Sequence, residues 1–327
     1  MSCNARGNQT HVTEFILLGF GELPEQHLIL FLPFLLIYIV TMTGNLLILA
    51  LVVADQHLHT PMYFFLGSLS FLEICYTSNI LPRMLASAVT GNRSISFHGC
   101  FVQYYFFGCF AATECYLLAV MSYDRYLAIC KPLHYTALMN TRVCLQLVTG
   151  SWISGFLSNS ILTLLIASLS FCGPNEIDHF FCDSFPMIKL SCSNSHIERL
   201  MTSFMACVTS LIPFMLTLAS YICIITTIMK IPSTTGRKKA FSTCSSHLIV
   251  VTLFYGSIIF VYGIPQKKTL KHITKVFSAF FTILTPILNP LIYSLRNKEV
   301  KEALKKAMHK VTGFKKGFLI SQKIASG

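Results

Sequence analysis

Leu28–Val53 runs without a single charged residue, and it is longer than the ~20 residues a helix needs to cross a hydrocarbon core. Six further segments behave alike. Pro61–Leu81 is interrupted only by Glu73, Phe97–Tyr123 only by His98 and Glu114, and Ala240–Ile264 only by His247. Val143–Phe171, Leu200–Met229 and Val276–Leu295 contain no Asp, Glu, Lys or Arg. These segments are too long for barrel strands and lack the two-residue alternation a barrel requires. Charged residues make up 12% of the chain and hydrophobic ones 54%, with mean hydropathy +0.63. That leaves too little charge to cover a soluble surface, and it argues against disorder, a coiled coil or nucleic-acid binding. The expectation is an all-α integral membrane protein, a seven-transmembrane helix bundle. Residues 1–27 form an outer tail, 28–295 the membrane domain and 296–327 a cytoplasmic tail.

Met1–Thr13 is polar and has no apolar core, so the first span is read as an uncleaved anchor. With the N-terminus outside, the inner segments hold 16 of the 25 Lys and Arg and only four acids: Asp55, Asp124, Glu299 and Glu302. All of the net charge of +12 then falls on one face, as the positive-inside rule requires. Its partners are anionic lipid headgroups or a cytoplasmic protein. After Asn297, apolar Val300, Leu304, Ala307 and Met308 recur at helical spacing opposite the lysines. This predicts a short amphipathic helix on the inner leaflet.

Ionisable groups inside a bilayer are costly, which makes them functional candidates. Phe107, Ala111, Glu114, Leu118 and Arg125 fall on one helix face. Phe107 to Arg125 is five turns, about 27 Å, close to the hydrocarbon thickness. Glu73 lies at a depth comparable to Glu114. Two such carboxylates repel unless they share a proton or a cation. Both readings stand: a sodium site at Glu73 and Glu114, or a protonated, hydrogen-bonded packing pair. Asp124-Arg125-Tyr126 ends the third span, where the Arg either snorkels to the headgroups or serves as a latch. Pro213, Pro286 and Asn289-Pro290 interrupt spans, and each proline frees a backbone carbonyl that neighbours must satisfy.

Four cysteines, Cys100, Cys172, Cys182 and Cys192, fall in the outer region, and four allow three pairings. Asn8-Gln9-Thr10 and Asn92-Arg93-Ser94 match the glycosylation pattern, and Asn8 stands well clear of the bilayer. No phosphate-binding loop, dinucleotide turn or His-Glu-x-x-His pattern is present, so no enzyme is expected. Cys244-x-x-His247 has ligand-like spacing but is incomplete for zinc.

The chain resembles an olfactory receptor of the rhodopsin-like G-protein-coupled receptors, of the tetrapod type. The resemblance rests on Gly44-Asn45, on Leu58-His59-Thr60-Pro61-Met62-Tyr63-Phe64-Phe65-Leu66 and on Met121-Ser122-Tyr123-Asp124-Arg125-Tyr126-Leu127-Ala128-Ile129-Cys130. It continues through Ser220-Tyr221, Lys239-Ala240-Phe241-Ser242-Thr243-Cys244-Ser245-Ser246-His247-Leu248 and the run from Pro286 to Asn297. It implies that Arg125 engages a stimulatory heterotrimeric G protein beside Tyr126, with Asp124 restraining Arg125 at rest. Tyr221 and Tyr293 would move toward Arg125, and Asn289 and Pro290 would form part of the switch. Tyr255 would stand at the sixth-span switch, where most rhodopsin-like receptors carry Trp. The resemblance pairs Cys100 with Cys182 and Cys172 with Cys192, and it adds weight to an ion between Glu73 and Glu114. It places the protein in the plasma membrane of sensory cilia and has it raise cyclic AMP.

The family binds volatiles between the third, fifth, sixth and seventh spans. Helical spacing then offers Phe107, Gly108, Ala111, Met205, Ala206, Thr209, Ile258, Ile259, Tyr262, Ala279 and Thr282 as the wall. That wall is mostly apolar with a few hydroxyls, which suits a small neutral odorant. A chemosensor for a small metabolite in a non-olfactory tissue is the alternative.

Overall fold

The computed structural model describes residues 12–20, 24–172, 174–193, 195–263, 271–296 and 299–306, with the side chains of 24–30, 239–240, 242–243, 246, 271 and 293–296 left aside. The seven spans are Pro24–Ala54, Pro61–Thr90, Phe97–Cys130, Thr141–Ala167, His196–Met229, Thr234–Gly263 and Lys271–Arg296. Six contain stretches long and apolar enough to cross a membrane. The sixth has a shorter apolar portion, His247–Gly263, because it begins in a basic segment with Arg237 and Lys238. Several helices outrun the apolar segments that announced them: the second continues to Thr90 and the third to Cys130. The fourth instead stops at Ala167, short of the expected Phe171, which forms a β-bridge with Ser191.

The ends are set by local chemistry. Pro61 opens the second span, where its missing N–H costs nothing. Gly91 closes that span in the left-handed region at φ 69°, donating its N–H to the Ser87 carbonyl. The Ser96 hydroxyl accepts from Gly99 N at the start of the third span, and the Asn140 side chain from Val143 N at the start of the fourth. The seventh span is not continuous α-helix. Phe280–Leu284 forms a π-helical segment ahead of Thr285–Arg296, a widening of the kind often found at functional sites.

The bundle buries its polar groups among an apolar core and turns apolar side chains outward. Leu36, Val53, Ile153, Leu164 and Leu216 are all more than half exposed, whereas Asn45, Glu73, Glu114, His247 and Asn289 are buried. Lipid is as apolar as these side chains, so close packing and interhelical hydrogen bonds hold such helices together. Gly155 lets the fourth span touch the third: a Cβ there would lie 2.3 Å from Thr113 Oγ1 and 2.8 Å from the Cys109 carbonyl.

The face carrying the disulfides is capped by a three-stranded sheet in the order β2-β1-β3. β1 is Glu14–Leu17, β2 Ser94–Ser96 and β3 Glu176–Ile177. β1 pairs antiparallel with β2 and parallel with β3, so the tail before the first span is stitched to two loops. Phe15 and Leu17 point into a cluster with Tyr104, Ile177 and Met187. On the opposite, basic face a helix spans 299–306. Val300 and Ala303 are buried against the bundle, and Glu299 accepts a hydrogen bond from Tyr63 at 2.6 Å. The expected helix is therefore seated on protein through Val300 and Ala303. Ala307 and Met308 lie outside the described residues.

Candidate functional site

From the disulfide face inward, the bundle presents three layers of candidate residues. The outermost is held by two disulfides, Cys100–Cys182 and Cys172–Cys192, in the pairing that the resemblance implied. The backbone N–H of Cys182 donates to Gln103 Oε1, and Gln103 Nε2 donates to the Asn79 carbonyl. This fixes the long outer loop onto the second and third spans. Phe181, one residue before the disulfide, reaches 4.5 Å from the ring of Phe107. Two residues on, Asp183 Oδ1 accepts from Tyr262 at 2.9 Å and from Ser184 N at 2.7 Å. Burial pushes the Asp183 carboxyl up to about 6, while the bonds from Tyr262 and Ser184 pull it down. Burial and the Lys275 charge push His179 down to about 3, and neither of its ring nitrogens has a partner among the described residues. Lys275 itself ties the seventh span to Asp178 at 2.5 Å and to the Gly19 carbonyl at 3.0 Å.

Beneath this lid stands the expected ligand wall. Phe107, Tyr262 and Phe281 are linked ring to ring, at 6.1 Å between Phe107 and Phe281 and 6.3 Å between Tyr262 and Phe281. Ile258 and Thr282 are buried, while Ala111, Ile259 and Ala279 are half-buried against the main apolar cluster. Met205, Ala206 and Thr209 are half-buried on the fifth span, whose deepest inward positions are instead Thr202, Ser210 and Pro213. Gly108 does not join the others. A Cβ there would meet Asn159 Oδ1 at 2.2 Å, so it faces the fourth span. Spacing alone had placed Gly108 beside Phe107, but adjacent helical residues point about 100° apart. Tyr76 stands 5.6 Å from Phe107 and joins the wall from the second span, outside the four spans that the resemblance implies.

The middle layer is polar. Tyr255 is fully buried and donates to the Cys115 carbonyl at 2.5 Å, joining the sixth span to the third. Phe214 of the fifth span packs 5.4 Å from its ring. Asn289 Nδ2 donates to Glu73 Oε1, and Glu114 is likewise fully buried on the third span. Both Glu114 oxygens, Glu73 Oε2, Asn289 Oδ1 and Thr77 Oγ1 are buried with no hydrogen-bond partner among the described residues. Such a set of oxygens fits a hard monovalent cation.

The innermost layer holds Asp124, Arg125 and Tyr126. Asp124 does not pair with Arg125. Its Oδ1 accepts from Tyr135 at 2.8 Å, a residue of the short helix Pro132–Leu138 that follows the third span. The restraint expected of Asp124 is thus absent as an ion pair, since the two neighbours diverge around the helix. Arg125 is buried, its Nε has no partner among the described residues, and its charge reaches His247 and Cys244. The Tyr221 hydroxyl and His247 Nδ1 are 2.6 Å apart, so this His is engaged by a span-to-span bond and Cys244 packs beside it. Pro290 is buried near Gly44. The side chain of Tyr293 and all of Asn8 lie outside the described residues.

A seven-helix membrane bundle with a disulfide-anchored loop at one end, a buried polar middle and Asp-Arg-Tyr at the basic end has the architecture of a G-protein-coupled receptor. Comparison with known proteins narrows this. The olfactory receptor family model matches residues 34–311. The chain is 49% identical to mouse olfactory receptor 5AP2 over 302 residues, covering 92% of this chain and 95% of that one. It is 51% identical to human olfactory receptor 6C75 over 304 residues, covering 93% and 97%. The chain belongs to the olfactory receptor family. It is a multi-pass plasma-membrane receptor, not an enzyme.

Proposed function

We propose that this receptor binds a small, neutral, largely apolar volatile between the third, fifth, sixth and seventh spans and activates a stimulatory G protein, raising cyclic AMP. It does so in the cilia of olfactory sensory neurons, with the disulfide face outside. The observation that carries this reading is the Tyr255 hydrogen bond to the Cys115 carbonyl. It lies about one turn inward of Ile258 and two turns inward of Tyr262, and about two turns from His247 and its Tyr221 contact. A ligand against this part of the sixth span competes with that bond. The sixth span then moves at its basic end and uncovers Arg125. An agonist acts only to the extent that it binds the opened bundle better than the resting one. The wall supports an uncharged ligand: the acid that touches it, Asp183, is engaged by Tyr262 and Ser184. The basic partner-facing end and the position of Arg125 support the G-protein assignment.

A sodium ion belongs to the same reading. Glu73 and Glu114 would hold it, with Asn289 and Thr77 adding oxygens, and the ion would supply the positive charge that lets both carboxylates stay ionised. Without it, the second carboxylate carries a proton.

The test is cyclic AMP in cells displaying the chain, challenged with a panel of volatiles. A dose-dependent rise that is lost in Arg125→Ala and Tyr255→Ala at matched surface level supports the proposal. A rise that survives Arg125→Ala overturns the role given to that residue. Agonist potency independent of sodium concentration, in wild type and in Glu114→Gln alike, overturns the ion.

A further inference from the structure

A cavity of about 560 Å³ opens sideways from the bundle between the third, fourth and fifth spans, apart from the odorant wall. That volume lies within the ~300–1,000 Å³ of small-molecule sites. Its floor is the third span from Tyr116 to Tyr126, and its two sides are the fourth and fifth spans. Gln146, Gly150, Ser154, Leu216 and Ala219 are exposed there, and exposed surface at this depth of a membrane bundle faces lipid. We propose that this groove is a binding site for a sterol of the leaflet on the basic side.

Three observations select the occupant. The first is length. Along the fifth span the lining runs from Ile212 to Cys223, eleven residue steps or about 16 Å of helix. That is close to half of the ~30 Å hydrocarbon core, so the groove is one leaflet deep. The second is polarity. The end toward the basic face gathers Tyr123, Tyr126 and Gln146, while the opposite end, near mid-bilayer, is Ile212, Pro213 and the ring of Tyr116. Neither the Gln146 amide nor the Tyr123 hydroxyl makes a hydrogen bond among the described residues, and an unsatisfied amide facing hydrocarbon is costly. A lipid that brings one hydroxyl to this end removes the penalty. The third is charge. No lining residue is Lys, Arg, His, Asp or Glu, so a phosphate or a fatty carboxylate would have no counter-ion, whereas a neutral head needs none. A rigid ring body also loses less conformational freedom than an acyl chain when it settles between helices. Gly150 leaves room for it: no atom lies within 4 Å of a Cβ built there.

The experiment uses the full chain in phosphatidylcholine nanodiscs with a photoreactive cholesterol analogue, followed by peptide mapping. Labelling is expected on the facing surfaces of the third, fourth and fifth spans, with competition by excess cholesterol. Gly150→Phe and Ala219→Phe fill the groove from opposite walls, and each is expected to abolish it. Gln146→Leu is expected to weaken it roughly three- to tenfold, the effect of one lost hydrogen bond. Unchanged thermal unfolding of each variant in sterol-free discs separates lost binding from lost folding. Labelling elsewhere on the bundle, labelling indifferent to both Phe variants, or competition by phosphatidic acid in place of cholesterol would each overturn the proposal.

Discussion

The Asn45 side-chain amide reaches from the first span to the Pro286 carbonyl of the seventh, 3.3 Å away. That carbonyl is the one Pro290 leaves without a helical donor, four residues on. Gly44, the preceding residue, admits the kinked helix: a Cβ there would lie 3.0 Å from the Pro290 Cβ. Adjacent residues thus do two jobs, one making room for the proline and the other satisfying the carbonyl it exposes.

Asn45→Leu should therefore destabilise the bundle by about 1–2 kcal/mol, because the freed carbonyl is left buried and unpaired. Thermal unfolding in nanodiscs measures it. A midpoint equal to wild type would show that the Pro286 carbonyl finds another donor.

Two glycines of the fourth span make a matched pair. Gly155→Ala drives a methyl against Thr113 and the Cys109 carbonyl, where overpacking costs about 1–3 kcal/mol. Gly150→Ala, one and a half turns away, meets nothing within 4 Å and should gain a few tenths of a kcal/mol from helix propensity. Surface expression of the two variants should diverge in that order. Equal expression would mean that the third and fourth spans can separate at no cost.

What the sequence discloses follows from what a bilayer enforces. Long uncharged runs have one stable fate in lipid, so the seven spans were legible from Leu28 to Leu295, and so was the freed carbonyl near Pro290. The disulfide partners became legible only through family resemblance, because three pairings satisfy the spacing equally. Gly108 was misplaced because spacing locates a residue along a helix more securely than around it. The three-stranded cap is not legible in the sequence, since Glu14–Leu17 and Glu176–Ile177 are too short to show alternation. Nor is the part played by Tyr135. It sits on a seven-residue helix with no buried face, and only the fold brings it to Asp124.

Tyr255→Phe isolates the hydroxyl from the ring. Losing one hydrogen bond of the resting bundle, worth roughly 1 kcal/mol, should raise basal cyclic AMP about two- to tenfold before any odorant is added. Phe keeps the packing against Phe214, so surface level should hold. A lower basal signal would mean that the hydroxyl supports the active bundle and that the proposed direction is reversed.

The outer loop holds two buried groups whose titrations oppose one another. The Asp183 carboxyl sits at about 6, above its ordinary 3.8, because burial penalises its charge. Between those values the folded chain holds a proton that the unfolded chain has lost, so this residue makes stability fall as pH rises, by about 1.4 kcal/mol per pH unit. His179 sits at about 3, below its ordinary 6.5, again because of burial. Between those values the unfolded chain holds the extra proton, so His179 makes stability rise with pH at a similar rate. From about pH 4 to 6 the two slopes cancel, so together these two residues leave the wild-type profile untilted. Asp183→Asn keeps the acceptor for Tyr262 but removes one slope, so relative to wild type the variant should lose stability steadily as pH falls from 6 to 4. His179→Phe should do the reverse and gain stability over the same interval. Unfolding midpoints measured across pH 4–7 in nanodiscs decide the matter. Parallel pH profiles for wild type and both variants would mean that neither group is buried in the folded loop.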